Sequence, residues 1–93
     1  MPLTQRVSFK TMLQKQNRLQ VPRLVRWRFK LEASEVLRVT VTVVGSAGGE
    51  RESFLARMQK DGRIVIPKFT LALLKRDEPS LEGYAMEVTL EPY

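Results

Sequence analysis

The chain has 93 residues, a formal net charge of +6, no cysteine and no histidine. That composition excludes disulfides, the usual Cys/His zinc sites and the common His- or Cys-based nucleophile pairs, which argues against an enzyme and leaves no cofactor to expect. The length suits one small core. Two independent half-length domains would bury too little surface without metal or disulfide.

In chain order, Val7–Gln14 alternates, with Val7, Phe9, Thr11 and Leu13 on one face and Ser8, Lys10, Met12 and Gln14 on the other, the pattern of a half-buried strand. "KQN" breaks it, and Arg18–Val21 returns as a second short strand. Pro22 suits the first turn of a helix, where its missing N–H leaves nothing unsatisfied. "RLVRWRFK" follows as about two turns of helix, with Arg23, Arg26 and Lys30 on one face and Val25 and Phe29 packing on another. "LEASE" is a loop, and Val36–Val44 is a β-branched strand with Leu37, Val39, Val41 and Val43 on one side. "GSAGGERE" is Gly-rich, either a hairpin loop joining Val44 to Ser53 or a tether between halves. In the second half "KDG" marks a tight turn, since Gly62 accepts the positive φ that such turns need. "KFTLALLKR" is a second, more apolar helix, "DEPSLEG" a loop and Tyr84–Leu90 a final strand.

The two halves repeat. Arg18-Leu19-Gln20-Val21-Pro22 and Arg63-Ile64-Val65-Ile66-Pro67 lie 45 residues apart, and the same offset places Phe9 on Phe54, Gln14 on Gln59, Lys15 on Lys60 and Lys30 on Lys75. Beyond an insertion around "RDEPSLEG" the offset becomes 49, and Leu37, Val39, Thr40 and Val41 fall on Met86, Val88, Thr89 and Leu90. The chain therefore reads as one domain of two repeats, 6–44 and 53–91, joined by the linker 45–52. Since neither half can support a core alone, the repeats share one.

Charge is divided unevenly. Residues 1–45 hold nine Lys/Arg and two acids, while residues 46–93 hold seven Lys/Arg and eight acids. Eight bases and no acid lie between Arg6 and Lys30. Such a run repels itself unless an anion meets it, which points to a polyanionic partner. Asp77 and Glu78, like Glu32 and Glu35, are loop acids, and "GSAGG" lacks the lysine and following helix of a phosphate loop. Trp27 could stack on a base, but burial in the core is the commoner use of Trp and is the expectation.

At "KDGRIVIPKFTLALL" the chain resembles the AbrB/MazE/SpoVT family of swapped-hairpin DNA-binding domains. The matching frame is Gly62-Arg63-Ile64-Val65-Ile66-Pro67-Lys68, repeated as Asn17-Arg18-Leu19-Gln20-Val21-Pro22-Arg23, with the later loop at Gly83-Tyr84 and Ser34-Glu35. The tandem copies resemble the arrangement in MraZ proteins. The resemblance implies a mainly β fold with two short helices, a swapped-hairpin, β-barrel-like structure built from two ββαβ repeats. It also implies a DNA-binding face on the hairpins and helix starts, here Lys10, Lys15, Arg18, Arg23, Arg26, Arg28, Arg57, Lys60, Arg63 and Lys68. The arginine after the turn occurs twice, as Arg18 and Arg63. Arg57 has Met12 as its counterpart, and Arg26 has Leu71, so neither copy carries the full set and a strictly two-fold footprint is not expected.

The function implied is duplex DNA binding by a transcriptional regulator, with affinity supplied mainly by phosphate neutralisation. A chromatin-like architectural protein is a variant of that reading. The alternative is the antitoxin of a toxin–antitoxin pair, with a toxin protein as partner, ranked lower because no long tail follows the last strand. RNA binding ranks below DNA because the aromatics mostly have apolar parity. One chain could act as a pseudo-dimer, or two could pair as a homodimer. Nothing resembles a signal peptide or a membrane span, so a cytoplasmic, nucleoid-associated protein without a membrane partner is expected.

Overall fold

A computed structural model describes residues 3–45, 50–75 and 80–93. Six strands and two short helices follow in the order β1 (Val7–Gln14), β2 (Arg18–Gln20), α1 (Arg23–Arg28), β3 (Val36–Val43), β4 (Glu52–Arg57), β5 (Arg63–Val65), α2 (Lys68–Lys75) and β6 (Ala85–Pro92). The strands form one antiparallel sheet in the order β4-β3-β6-β1-β2-β5, rolled into a nearly closed barrel. Strand faces follow the sequence alternation. Val7 and Leu13 are buried and Phe9 is half-buried, whereas Ser8, Lys10 and Met12 are exposed.

The hairpins are exchanged. β1 pairs with β6 of the second repeat, from Val7↔Leu90 to Met12↔Ala85, and β4 pairs with β3 of the first, from Val36↔Arg57 to Val41↔Glu52. The two final strands, β3 and β6, pair with each other, and so do β2 and β5. At the centre of each pair, equivalent residues meet: Leu19 faces Ile64, and Thr40 faces Thr89. A pseudo-two-fold axis therefore passes through both points. Buried residues from both repeats form one cluster that includes Leu19, Val21, Val39 and Val41 with Ile64, Ile66, Val88 and Leu90.

Loop bonds repeat about the axis. The Val21 N–H donates to the Gly62 carbonyl at 2.9 Å and the Ile66 N–H to the Asn17 carbonyl at 2.8 Å. The Ser34 N–H donates to the Met58 carbonyl at 2.7 Å, and the Gly83 N–H to the Leu13 carbonyl at 2.8 Å. Backbone geometry matches as well: Asn17 and Gly62 have φ of 59° and 83°, and Ser34 and Gly83 have φ of 69° and 86°. The first turn departs from the second in one respect. Gln16 also takes a positive φ, 64°, so two consecutive left-handed residues close the Lys15–Asn17 turn. Three residues, 15–17, lie between paired Gln14 and Arg18, so the turn is a three-residue hairpin loop.

Antiparallel pairing of β3 with β4 makes the Gly-rich segment a hairpin connection rather than a tether. Its residues 46–49 lie outside the described residues, as do 76–79, which include Asp77, Glu78 and much of the insertion. β4 begins at Glu52, one residue before the expected start of the second repeat.

Helix α1 is shorter than the sequence pattern suggests. Lys30 does not continue the face of Arg23 and Arg26, because it turns to φ 54°. The Lys30 N–H donates to the Trp27 carbonyl at 3.3 Å and the Leu31 N–H to the Arg26 carbonyl at 3.0 Å. This pair of bonds is a Schellman stop, and it swings Leu31 against the core. Glycine is the residue that such a stop favours. Lys30→Gly is expected to stabilise the fold by about 0.5–1 kcal/mol, read as a higher urea midpoint with an unchanged slope.

Candidate nucleic-acid interface

Leu19 and Ile64 point into the barrel with no exposed surface. Their neighbours must then point outward, so β2 and β5 present Arg18, Gln20, Arg63 and Val65 on one outer face. Arg18 faces Val65 and Gln20 faces Arg63, which makes Arg18 and Arg63 diagonal neighbours about 7–8 Å apart at their backbones. Lys15 and Lys60 occupy the two adjoining turns, and Arg23 and Lys68 open the two helices straight after Pro22 and Pro67. Residues 15–28 and 59–68 together carry eight Lys/Arg and one acid, Asp61.

That one acid acts on the second repeat's arginine. Asp61 lies 3.5 Å from the Arg63 guanidinium and accepts from the Arg63 N–H at 3.1 Å. Arg63 Nε also donates to Gln20 Oε1 at 3.4 Å, and Gln20 Nε2 donates to the Asp61 carbonyl at 2.8 Å. Arg18 is looser. Its Nε reaches the Lys15 carbonyl at 3.3 Å, and no carboxylate pairs with it among the described residues.

Arg26 is half-buried rather than free on the helix. Its Nε donates to the Val21 carbonyl at 3.2 Å, and its side chain lies over Gly62 of the other repeat's turn. A Cβ at Gly62 would come within 2.5 Å of the Arg26 Nε. Gly62 is thus favoured by its φ of 83°, and any side chain there would displace the Arg26 guanidinium above it. The counterpart of Arg26, Leu71, is buried, so both helices lean this position inward.

Seven of the ten expected binding residues surround β2 and β5: Lys15, Arg18, Arg23, Arg26, Lys60, Arg63 and Lys68. Three stand elsewhere. Lys10 lies on the outer face of β1 and faces Glu87 of β6. Arg57 ends β4 and donates through Nη1 to the Ser34 carbonyl at 3.0 Å. Arg28 closes α1 with its guanidinium carbon 5.8 Å from the centre of the Phe29 ring.

The opposite face, outside β4-β3-β6-β1, differs in chemistry. Ser53, Thr40, Thr89 and Ser8 form one row across four strands, with hydroxyl pairs at 2.8 Å (Thr40 to Ser53) and 3.0 Å (Ser8 to Thr89). Cations there have acids beside them: Arg6 lies 3.6 Å from Glu91, which also faces Arg38.

Trp27 does not pack in the core. It is 78% exposed, beside Leu24 at 77%, and Phe69 on α2 is 75% exposed. Val25 and Phe29 pack against the core. At 100° per residue Trp27 lies about 200° from each, so its outward position was available from the helical spacing. Exposure of Trp27, Phe69 and Tyr93 also removes the parity argument that ranks RNA below DNA.

No family model and no curated protein matches the chain. Among solved structures, the solution structure of PHS018 from Pyrococcus horikoshii is similar, with a TM-score of 0.78 at 20% identity over 99% of this chain and 94% of that one. At that identity the likeness concerns the fold. No helix among the described residues is long and apolar enough to cross a membrane.

Gly62 and Gly83 separate the two demands on a left-handed glycine. Both have positive φ, but nothing lies within 4 Å of a Cβ at Gly83. Gly83→Ala is expected to cost about 1 kcal/mol of backbone strain. Gly62→Ala should cost about 1 kcal/mol more, because Arg26 loses its seat and its bond to Val21. Chemical denaturation of the two variants checks the difference.

Proposed function

We propose that the chain binds duplex DNA across the pseudo-two-fold face of β2 and β5 and acts as a transcriptional regulator. The observation that carries this reading is the placement of Arg18 and Arg63 on one outward two-stranded ribbon, ringed by Lys15, Lys60, Arg23 and Lys68. A two-stranded ribbon fits the major groove, and a guanidinium can bond bidentately to phosphate or to guanine. Gln20, between the two arginines, adds a side chain that can read adenine, once its bond to Asp61 is exchanged. Affinity comes from phosphate neutralisation, and base reading falls to Arg18, Gln20 and Arg63. An architectural protein with little sequence preference would keep the first contribution and lack the second. Competition between a random duplex and genomic fragments separates the two.

Three expectations follow from the geometry. If the four cations around the ribbon, Lys15, Lys60, Arg23 and Lys68, reach phosphates, the slope of log K against log salt should be about −4. A flat dependence would remove the DNA reading. Arg18→Ala should weaken duplex binding by about 1–3 kcal/mol, and Arg63→Ala by less, because Arg63 must first give up Asp61. Asp61→Asn keeps the acceptor for the Arg63 N–H but removes the charge, so it should tighten binding severalfold. Titrations of one duplex at fixed salt compare all three variants.

A further inference from the structure

We propose that the outer face of α1 is a stacking site for an unpaired base of single-stranded DNA that continues from duplex held at the β2/β5 face. This rests on the duplex reading and extends it to the form of DNA preferred. The juxtaposition is Trp27 with Leu24, set between Arg23 and Arg28. Arg23 and Trp27 are four residues apart and Leu24 and Trp27 three, so their side chains emerge about 5–6 Å apart on one face. Trp27 and Leu24 are left 78% and 77% exposed by a fold that buries Val25 and Phe29 of the same helix.

The charge around this apolar surface selects its occupant. There is no acid between Arg6 and Lys30, so any partner must bring negative charge along with a flat apolar surface. A nucleotide strand has both, in alternation: base faces for the indole and phosphates for the flanking guanidiniums. Paired bases hide those faces inside the stack, so Trp27 gains only where bases are unpaired. The platform is also rigidly placed. α1 follows β2 with only Val21 and Pro22 between, and Arg26 bonds back to the Val21 carbonyl while its side chain lies over Gly62. The site is one-sided, because Ala72 stands in α2 where Trp27 stands in α1, and a single strand would leave the duplex toward the first repeat.

Trp27 is the only tryptophan in the chain, so its emission reports the site directly. Three probes are titrated at one salt concentration: a blunt duplex, the same duplex with an oligo-dT overhang, and the same duplex with an oligo-rU overhang. The blunt duplex should bind with little change in emission. The dT overhang should quench Trp27 and tighten binding roughly tenfold, the scale of one stacked base. Trp27→Ala, at an exposed position, should return the overhang to blunt-duplex affinity, whereas Phe69→Ala, with Lys68 as its neighbour, should keep the preference. Equal affinity and equal emission for blunt and overhang duplexes would overturn the proposal, as would a Trp27→Ala variant that keeps the preference. A larger gain from rU than from dT would overturn the assignment to DNA. Failure of the duplex reading looks different: the blunt duplex would not bind at any salt, while quenching by the overhang would persist.

Discussion

The pairing of Leu19 with Ile64 is the constraint on which the rest depends. β2 and β5 have three residues each, too few to form a stable hairpin alone. β2 lies between β1 and β5, and β5 pairs with β2 at the sheet's edge; the reciprocal bonds from Val21 to Gly62 and from Ile66 to Asn17 close both ends of the contact. Because β2 and β5 belong to different repeats, joining them carries β1 across to β6 and leaves β4 on β3. Neither repeat can then keep a core of its own. The pairing of Val7 with Leu90 spans nearly the whole chain, so most of the sheet forms only when distant segments meet.

The same axis gives the molecule two unlike ends. Where it leaves through β2 and β5, cations gather around a single acid. Where it leaves through β3 and β6, hydroxyls pair with one another and the nearby charges have opposite neighbours. Asp61 breaks the symmetry at the cationic end by holding Arg63, while Arg18 has a carbonyl for company. The helices break it again: Arg26 covers the facing turn where Leu71 is buried, and Trp27 stands exposed where α2 has Ala72. A duplicated frame has thus become two halves with different surface chemistry and one shared interior.

Much of this was legible in the sequence. Alternation fixed β1 and β3 to within a residue, and the offsets of 45 and 49 named the residues that meet on the axis, Leu19 with Ile64 and Thr40 with Thr89. Offsets alone do not say that equivalent residues face each other, since a side-by-side arrangement keeps the same spacing. Pairing across repeats is a tertiary choice. The resemblance to swapped-hairpin domains supplied the exchange as an expectation. Local misreadings had local causes. Lys30 fitted a helical face, but the stop that turns Leu31 inward outweighed it. Residue type puts Trp27 in the core, although Val25 and Phe29 already set the buried face. The family pattern groups Lys10 and Arg57 with the hairpin cations; Lys10 shares the outward parity of Arg18, but it lies on the part of β1 that pairs with β6, opposite Glu87.

The central claim is that this axis has one end built for a polyanion and one that is not. Backbone amide shifts on titration with a short duplex test it directly, because both ends lie in regular strands and can be followed together. The account predicts shifts confined to residues 15–28 and 60–68, with Ser8, Thr40, Ser53 and Thr89 unmoved. Shifts centred on the hydroxyl row, with Arg18 and Arg63 unmoved, would contradict it.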